Sequence, residues 1–140
     1  MTSEAPPCTA RNLDHVCIAV NDIQETIEFY KQVFDLSPAP VEEILDQGVR
    51  GCLITVGGSR LELIEPTDPK GAIARFIERR GEGLHHVAFE VENIREKLAN
   101  LQAKGVELID KEPREGLSGT IAFLHPRATR GVLIELVQKD

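Results

Sequence analysis

Two histidines and two glutamates occupy matching places in this chain. Residues 13–23, LDHVCIAVNDI, and residues 84–94, LHHVAFEVENI, agree at five of eleven aligned positions, among them His15 with His86. Later in each half an apolar stretch holds one internal glutamate: RLELIEP (60–66) carries Glu62 and VLIELVQ (132–138) carries Glu135, 47 and 49 residues after the respective histidine. Two imidazoles and two carboxylates suit a divalent first-row ion such as Co²⁺, Mn²⁺, Ni²⁺, Zn²⁺ or Fe²⁺. They leave positions of a six-coordinate shell open to water or two substrate oxygens. Without a cation, two buried carboxylates would carry a desolvation cost of several kcal/mol or take up protons.

The elements that must hold these side chains follow from periodicity. Side chains alternate faces along a strand, so His15 shares a face with Cys17 and Ala19, His86 with Ala88 and Glu90, and each glutamate points away from its leucine or isoleucine neighbours. Small neighbours leave room beside the imidazoles. After each histidine strand the text turns helical, with Ile23, Ile27, Tyr30 and Phe34 on one stripe and Ile94, Leu98 and Leu101 on another. Asn21 or Asp22 caps the first helix and Asn93 the second, which Gly105 closes. Strand-like text follows: GCLITV and RLELIEP in the first half, VELID, TIAFLHP and VLIELVQ in the second. Each half therefore reads β-α-β-β-β. The expected organisation is a leader over 1–11 and a single domain over 12–138, built from modules at 12–66 and 84–138. A connector at 67–83 carries a short helix with Ile73, Phe76 and Ile77 inward.

Composition narrows the classes further. With 140 residues, 41% apolar and 28% charged, the chain can bury a core without disulfides, and no apolar run approaches the roughly 18 residues that span a bilayer. A net charge of −7 without a basic cluster beyond Arg79-Arg80 speaks against nucleic-acid binding. Cys8, Cys17 and Cys52 form no CxxC pair; they read as small apolar fillers or, for Cys8, an exposed tail thiol. The first dozen residues lack a secretory pattern, which makes the cytoplasm the expected location.

The stretches LDHVCIAV (13–20), DQGVRGCLITVGGSRLELIEP (46–66), RGEGLHHVAFEV (80–91) and FLHPRATRGVLIEL (123–136) resemble the vicinal oxygen chelate superfamily and, within it, the methylmalonyl-CoA epimerase family. The resemblance spans residues 13–138. It implies an α+β, glyoxalase-like fold of two paired β-α-β-β-β modules around a metal-bearing cleft, with His15, Glu62, His86 and Glu135 as ligands. It also implies a homodimer acting on an acyl-CoA, with no nucleic-acid or membrane partner. The implied chemistry is inversion at the carbon between a thioester and a carboxylate, with Glu135 as ligand and base and with Gln47 orienting the substrate carboxylate or serving as a turn residue.

Two positions depart from the family pattern. Some epimerases of this kind have glutamine at position 62, and the glutamate here resembles glyoxalase I instead, adding one negative charge. A glutamate that some members carry shortly after QGV falls at Gly51, which transfers no proton. Glu42, Glu43, Asp46 or a water molecule then remain for delivery from the opposite side. His85 and His125 have no counterpart in the other half and are expected in structural or rim roles. Lys111, Arg114, Arg127 and Arg130 flank the last strands as phosphate candidates. The competing functions are a glyoxalase I-like lyase, an extradiol dioxygenase, which the fourth ligand Glu62 disfavours, and a metal-free small-molecule-binding protein of the same fold.

Overall fold

The computed structural model of the chain describes residues 9–139. Its contacts divide into two units, residues 15–86 and residues 9–14 with 87–139. The divisions fall inside two strands, at His15 and at His86.

The unit of residues 15–86 holds most of β1 (Asn12–Ala19), then α1 (Ile23–Phe34), β2 (Glu42–Ile44), β3 (Val49–Val56), β4 (Ser59–Pro66) and α2 (Ala72–Arg80). Its strands lie in the order β2-β3-β4-β1, with β4 parallel to β1 and antiparallel to β3, and β3 antiparallel to β2. The return from β1 to a parallel β4 needs a crossover, and α1 provides it. Asp22 settles the choice of cap: its side chain accepts from the Glu25 amide, while Glu65 accepts from the Ile23 amide at 2.8 Å. On one face of the sheet Ile23 and Ile27 of α1 pack with Val20, Cys52, Ile54 and Leu63. The other face, expected to be polar, is partly apolar: Cys17, Ala19 and Ile64 lie under Ile73, Phe76 and Ile77 of α2, the inward residues of the connector helix.

The second unit repeats the plan with β5 (Gly83–Glu90), whose first residues belong to the other unit, α3 (Ile94–Ala103), β6 (Arg114–Gly116), β7 (Gly119–Leu124) and β8 (Ile134–Gln138). The order is β5-β8-β7-β6, again with the last strand parallel to the first. Ile94 and Leu98 pack on Val91, Ala122, Leu124 and Leu136. Asn93 caps α3, and Gln138 accepts from the Ile94 amide at 2.9 Å, as Glu65 does for Ile23. A side chain from the last strand of each unit thus fixes the start of its helix.

One expected strand is absent. VELID (106–110) is not a strand; only Leu108 makes an isolated bridge, to Leu124, while the Phe123 amide donates to the side chain of Asp110. The short strands β2 and β6 instead lie at Glu42–Ile44 and Arg114–Gly116, where three polar-flanked residues carry no alternation long enough to read. Asp14, with its side chain almost fully buried, pairs with Lys139 at 2.6 Å, so the first residues of β1 are tied to the end of the chain. Among the described residues no helix is long and apolar enough to cross a membrane.

Leu63 is fully buried in the α1-facing core. Leu63→Ala is expected to lower unfolding stability by about 2–5 kcal/mol in urea denaturation, with an unchanged slope if only the cavity is responsible.

Candidate metal centre

Parallel pairing of β1 with β4 places Cys17 opposite Glu62 and His15 opposite Arg60. Because partners in register share a face, the Glu62 carboxylate rises on the same side as the His15 ring. His86, four residues into β5, completes a cluster within the unit of residues 15–86. His15 Nε2 and His86 Nε2 are 3.3 Å apart, and Glu62 Oε1 lies 3.8 Å from each. The two rings meet edge to face at 5.4 Å between centroids. All three side chains are removed from solvent, His15 fully and Glu62 to 7% exposure.

Two ring nitrogens that both turn lone pairs toward a point 3.3 Å across repel unless a proton or a cation lies between them. The buried carboxylate beside them adds negative charge to the same spot. Donors at a common bond length of about 2.1 Å and these separations subtend angles of roughly 105–130°, which one divalent cation accommodates. The residues therefore fit the ion that their types suggested.

Glu135 sits on β8 with 3% exposure. Its register partner is Ala88, the second residue after His86 along β5. His86, Ala88 and Glu135 therefore share a strand face by alternation and pairing, opposite to that of Leu136, which packs on α3.

Alternation along β5 predicts His85 on the face opposite His86. Instead its Nδ1 lies 2.8 Å from His86 Nδ1, and its ring stands against the edge of Phe76 at 4.8 Å. The reason is geometric: alternation separates ring tips, whereas Nδ1 is close to the backbone, where consecutive side chains still meet. When His86 offers the Nε2 lone pair, its proton is on Nδ1, and His85 Nδ1 is the acceptor. Donor atoms of Cys17, His85 and His86 also lie within 4.8 Å of one another. Spacing alone did not reveal this neighbourhood, because the covering helix α2 that brings Phe76 over His85 is distant in sequence from Cys17.

The remaining candidate residues sit in turns and loops. Gln47 ends the 3-10 turn Leu45–Gln47 and precedes Gly48 at φ +66°, a turn position by conformation. His125 caps the short 3-10 helix Pro126–Thr129, its Nδ1 accepting from the Arg127 amide at 3.1 Å, a structural role. Arg127 donates to Glu107 at 2.8 Å, a hydrogen bond that holds this carboxyl below its usual range, and Arg114 bonds Asp110 at 3.3 Å. A phosphate at either arginine would compete with these carboxylates.

The comparisons now add family to geometry. The Glyoxalase/Bleomycin resistance protein/Dioxygenase superfamily profile matches residues 14–123, and the chain belongs to that superfamily. An uncharacterized protein of Bacillus subtilis is 41% identical over 127 residues, covering 90% of this chain and 91% of that one. The mitochondrial methylmalonyl-CoA epimerase of Dictyostelium discoideum is 33% identical over 129 residues, with 91% and 78% covered. A solved methylmalonyl-CoA epimerase in complex with methylmalonyl-CoA and NH4+ aligns with TM-score 0.89 and 36% identity over 94% of this chain and 96% of that one. The glyoxalase fold is thereby established across most of the chain.

Cys17 and Cys52 are buried and form no disulfide among the described residues, and Cys8 lies outside the described residues. Burial pushes the Cys52 thiol up, which lowers its thiolate fraction further. Pulsed alkylation at pH 8 followed by peptide mass analysis should show Cys52 reacting at least about tenfold more slowly in the folded than in the urea-unfolded chain.

Proposed function

We propose that this protein is a metal-dependent epimerase that inverts the α-carbon of methylmalonyl-CoA or a similarly short-branched malonyl-CoA. The observation that carries this reading is the convergence of His15 Nε2, His86 Nε2 and Glu62 Oε1 in a chain whose relatives include methylmalonyl-CoA epimerases. His15, Glu62, His86 and Glu135 are the proposed ligands. Burial of Glu135 and its place beside Ala88, two residues from His86, support its inclusion. Co²⁺ is the proposed ion, with the other divalent first-row ions as alternatives. When bound, it supplies Lewis-acid stabilisation of the negative charge that develops on the thioester oxygen.

The protein's own residues do the remainder. His15 and His86 orient, held by β1, β5 and the His85 contact, and exclude water from a buried site. Glu135 takes the α-proton as general base, leaving the electron pair delocalised into the thioester as an enolate. Gln47 is the proposed partner of the substrate carboxylate. Glu62 makes the set more anionic than one with glutamine, which favours retention of a divalent cation over binding of an anionic acyl group. The proposed setting is a cytoplasmic homodimer. Exposed Leu45 and Leu84, at 80% and 70% exposure, are consistent with an apolar contact between copies.

A glyoxalase I-like lyase would use the same four residues, and Glu62 favours it at that one position. Proton NMR of methylmalonyl-CoA in D₂O tests the choice: chelator-treated protein should leave the α-proton signal intact, and added Co²⁺ should remove it. Persistence of the signal with every divalent ion would exclude the epimerase. A second experiment concerns His85. His85→Leu should weaken Co²⁺ binding by about tenfold or more in equilibrium dialysis and alter the visible Co²⁺ spectrum, whereas His85→Asn, whose amide oxygen replaces the acceptor, should restore both.

A further inference from the structure

Inversion at a carbon requires removal of a proton on one side and its return on the other, so one immobile carboxylate is not enough. We propose that Glu42 is the second acid/base group, an inference that rests on the epimerase reading above. Leu61 and Leu63 of β4, with Cys52 and Ile54 of β3, pack toward α1. Glu62 and Ile64 therefore take the other face, the one that carries His15.

The ladder extends that face outward. Ile64 pairs with Gly51 of β3, and Gly51 pairs with Glu42 of β2. Residues in register point the same way, so Glu42 stands on the face of Glu62 and His15, at the edge strand of this unit. Between Glu42 and Ile64 the rung is occupied by Gly51, which adds no side chain there; Leu53, in register with Glu62, is the β3 side chain next along the same face. With strands about 4.8 Å apart and about 3.4 Å per residue, Glu42 and Glu62 are separated by two strands and two residues, about 12 Å at Cα.

The neighbouring carboxylates are committed elsewhere. Glu43 pairs in register with Arg50 on the α1 side and forms an ion pair with it at 3.7 Å. Arg50 also binds Glu65 at 3.1 Å, and Glu65 holds the start of α1. Asp46 lies in the 3-10 turn beyond β2, off the ladder. On strands β2, β3 and β4, the carboxylates that alternation and register put on the His15 face are Glu62 and Glu42. Glu62 is the proposed ligand, and Glu42 is exposed on a short strand whose side chain can swing toward a bound substrate.

In the step, the Glu135 carboxylate accepts the α-proton and the C–H electron pair enters the enolate. The Glu42 carboxylic acid then gives its proton to the α-carbon from its own side, forming the new C–H bond and leaving a carboxylate. The reverse direction exchanges the two roles, and solvent returns the proton balance.

The experiment follows each pure epimer of methylmalonyl-CoA in D₂O with metal-loaded protein, reading interconversion and α-proton washout separately. Glu42→Gln should slow interconversion by about 100-fold or more while one epimer still exchanges its α-proton, and Glu43→Gln should behave as the unaltered protein. Interconversion by Glu42→Gln within about threefold of the unaltered protein overturns the assignment. Equal loss of exchange from both epimers also overturns it, because a one-sided group cannot silence both. Failure of the unaltered protein to exchange either epimer overturns the epimerase reading itself, an outcome distinct from the others.

Discussion

Three buried polar atoms set the terms for this protein. His15 Nε2, His86 Nε2 and Glu62 Oε1 lie 3.3–3.8 Å from one another in an interior where an unbalanced carboxylate costs several kcal/mol. Such an arrangement is stable only if the backbone holds it and a proton or cation balances it. The parallel β1–β4 ladder performs the first task, because it sets Glu62 beside Cys17 and thus beside the His15 ring. The core packed between that sheet and α1 fixes the ladder.

The duplication explains how a small chain assembles such a site economically. Each half has one strand with a buried glutamate within it, parallel to the strand that carries a histidine, and one helix whose start is held by a side chain from that last strand. The halves have diverged where the chemistry needs asymmetry. The first keeps a Glu42–Gly51 rung on the face of the site, and the second holds Asp110 and Glu107 in contacts with arginines. His85, without a counterpart, adds an acceptor for His86 that the first half does not repeat.

Much of this was legible before any coordinates. The helices over Ile23–Phe34 and Ile94–Ala103 follow from four-residue apolar spacing and acidic or amide caps, strong local signals. The pairing of His15 with His86 and of Glu62 with Glu135 is visible because duplication writes the same spacing twice. The segment VELID misled because its apolar alternation matches a strand, while its backbone takes only one bridge. Strands β2 and β6 were invisible because three residues cannot show a period.

Sequence by itself determined which residue types recur, at what spacing, and on which side of each strand they fall, since alternation is a property of the chain alone. Tertiary structure decided the rest: that Asp22 and not Asn21 caps α1, that α2 covers the face beside Cys17, and that His85 meets His86. It also decided, through the register of β2, β3 and β4, that the face of Glu42 and not that of Glu43 is the one that carries His15. Those outcomes depend on register between strands and on helices arriving from distant positions, and neither register nor packing is encoded in local periodicity.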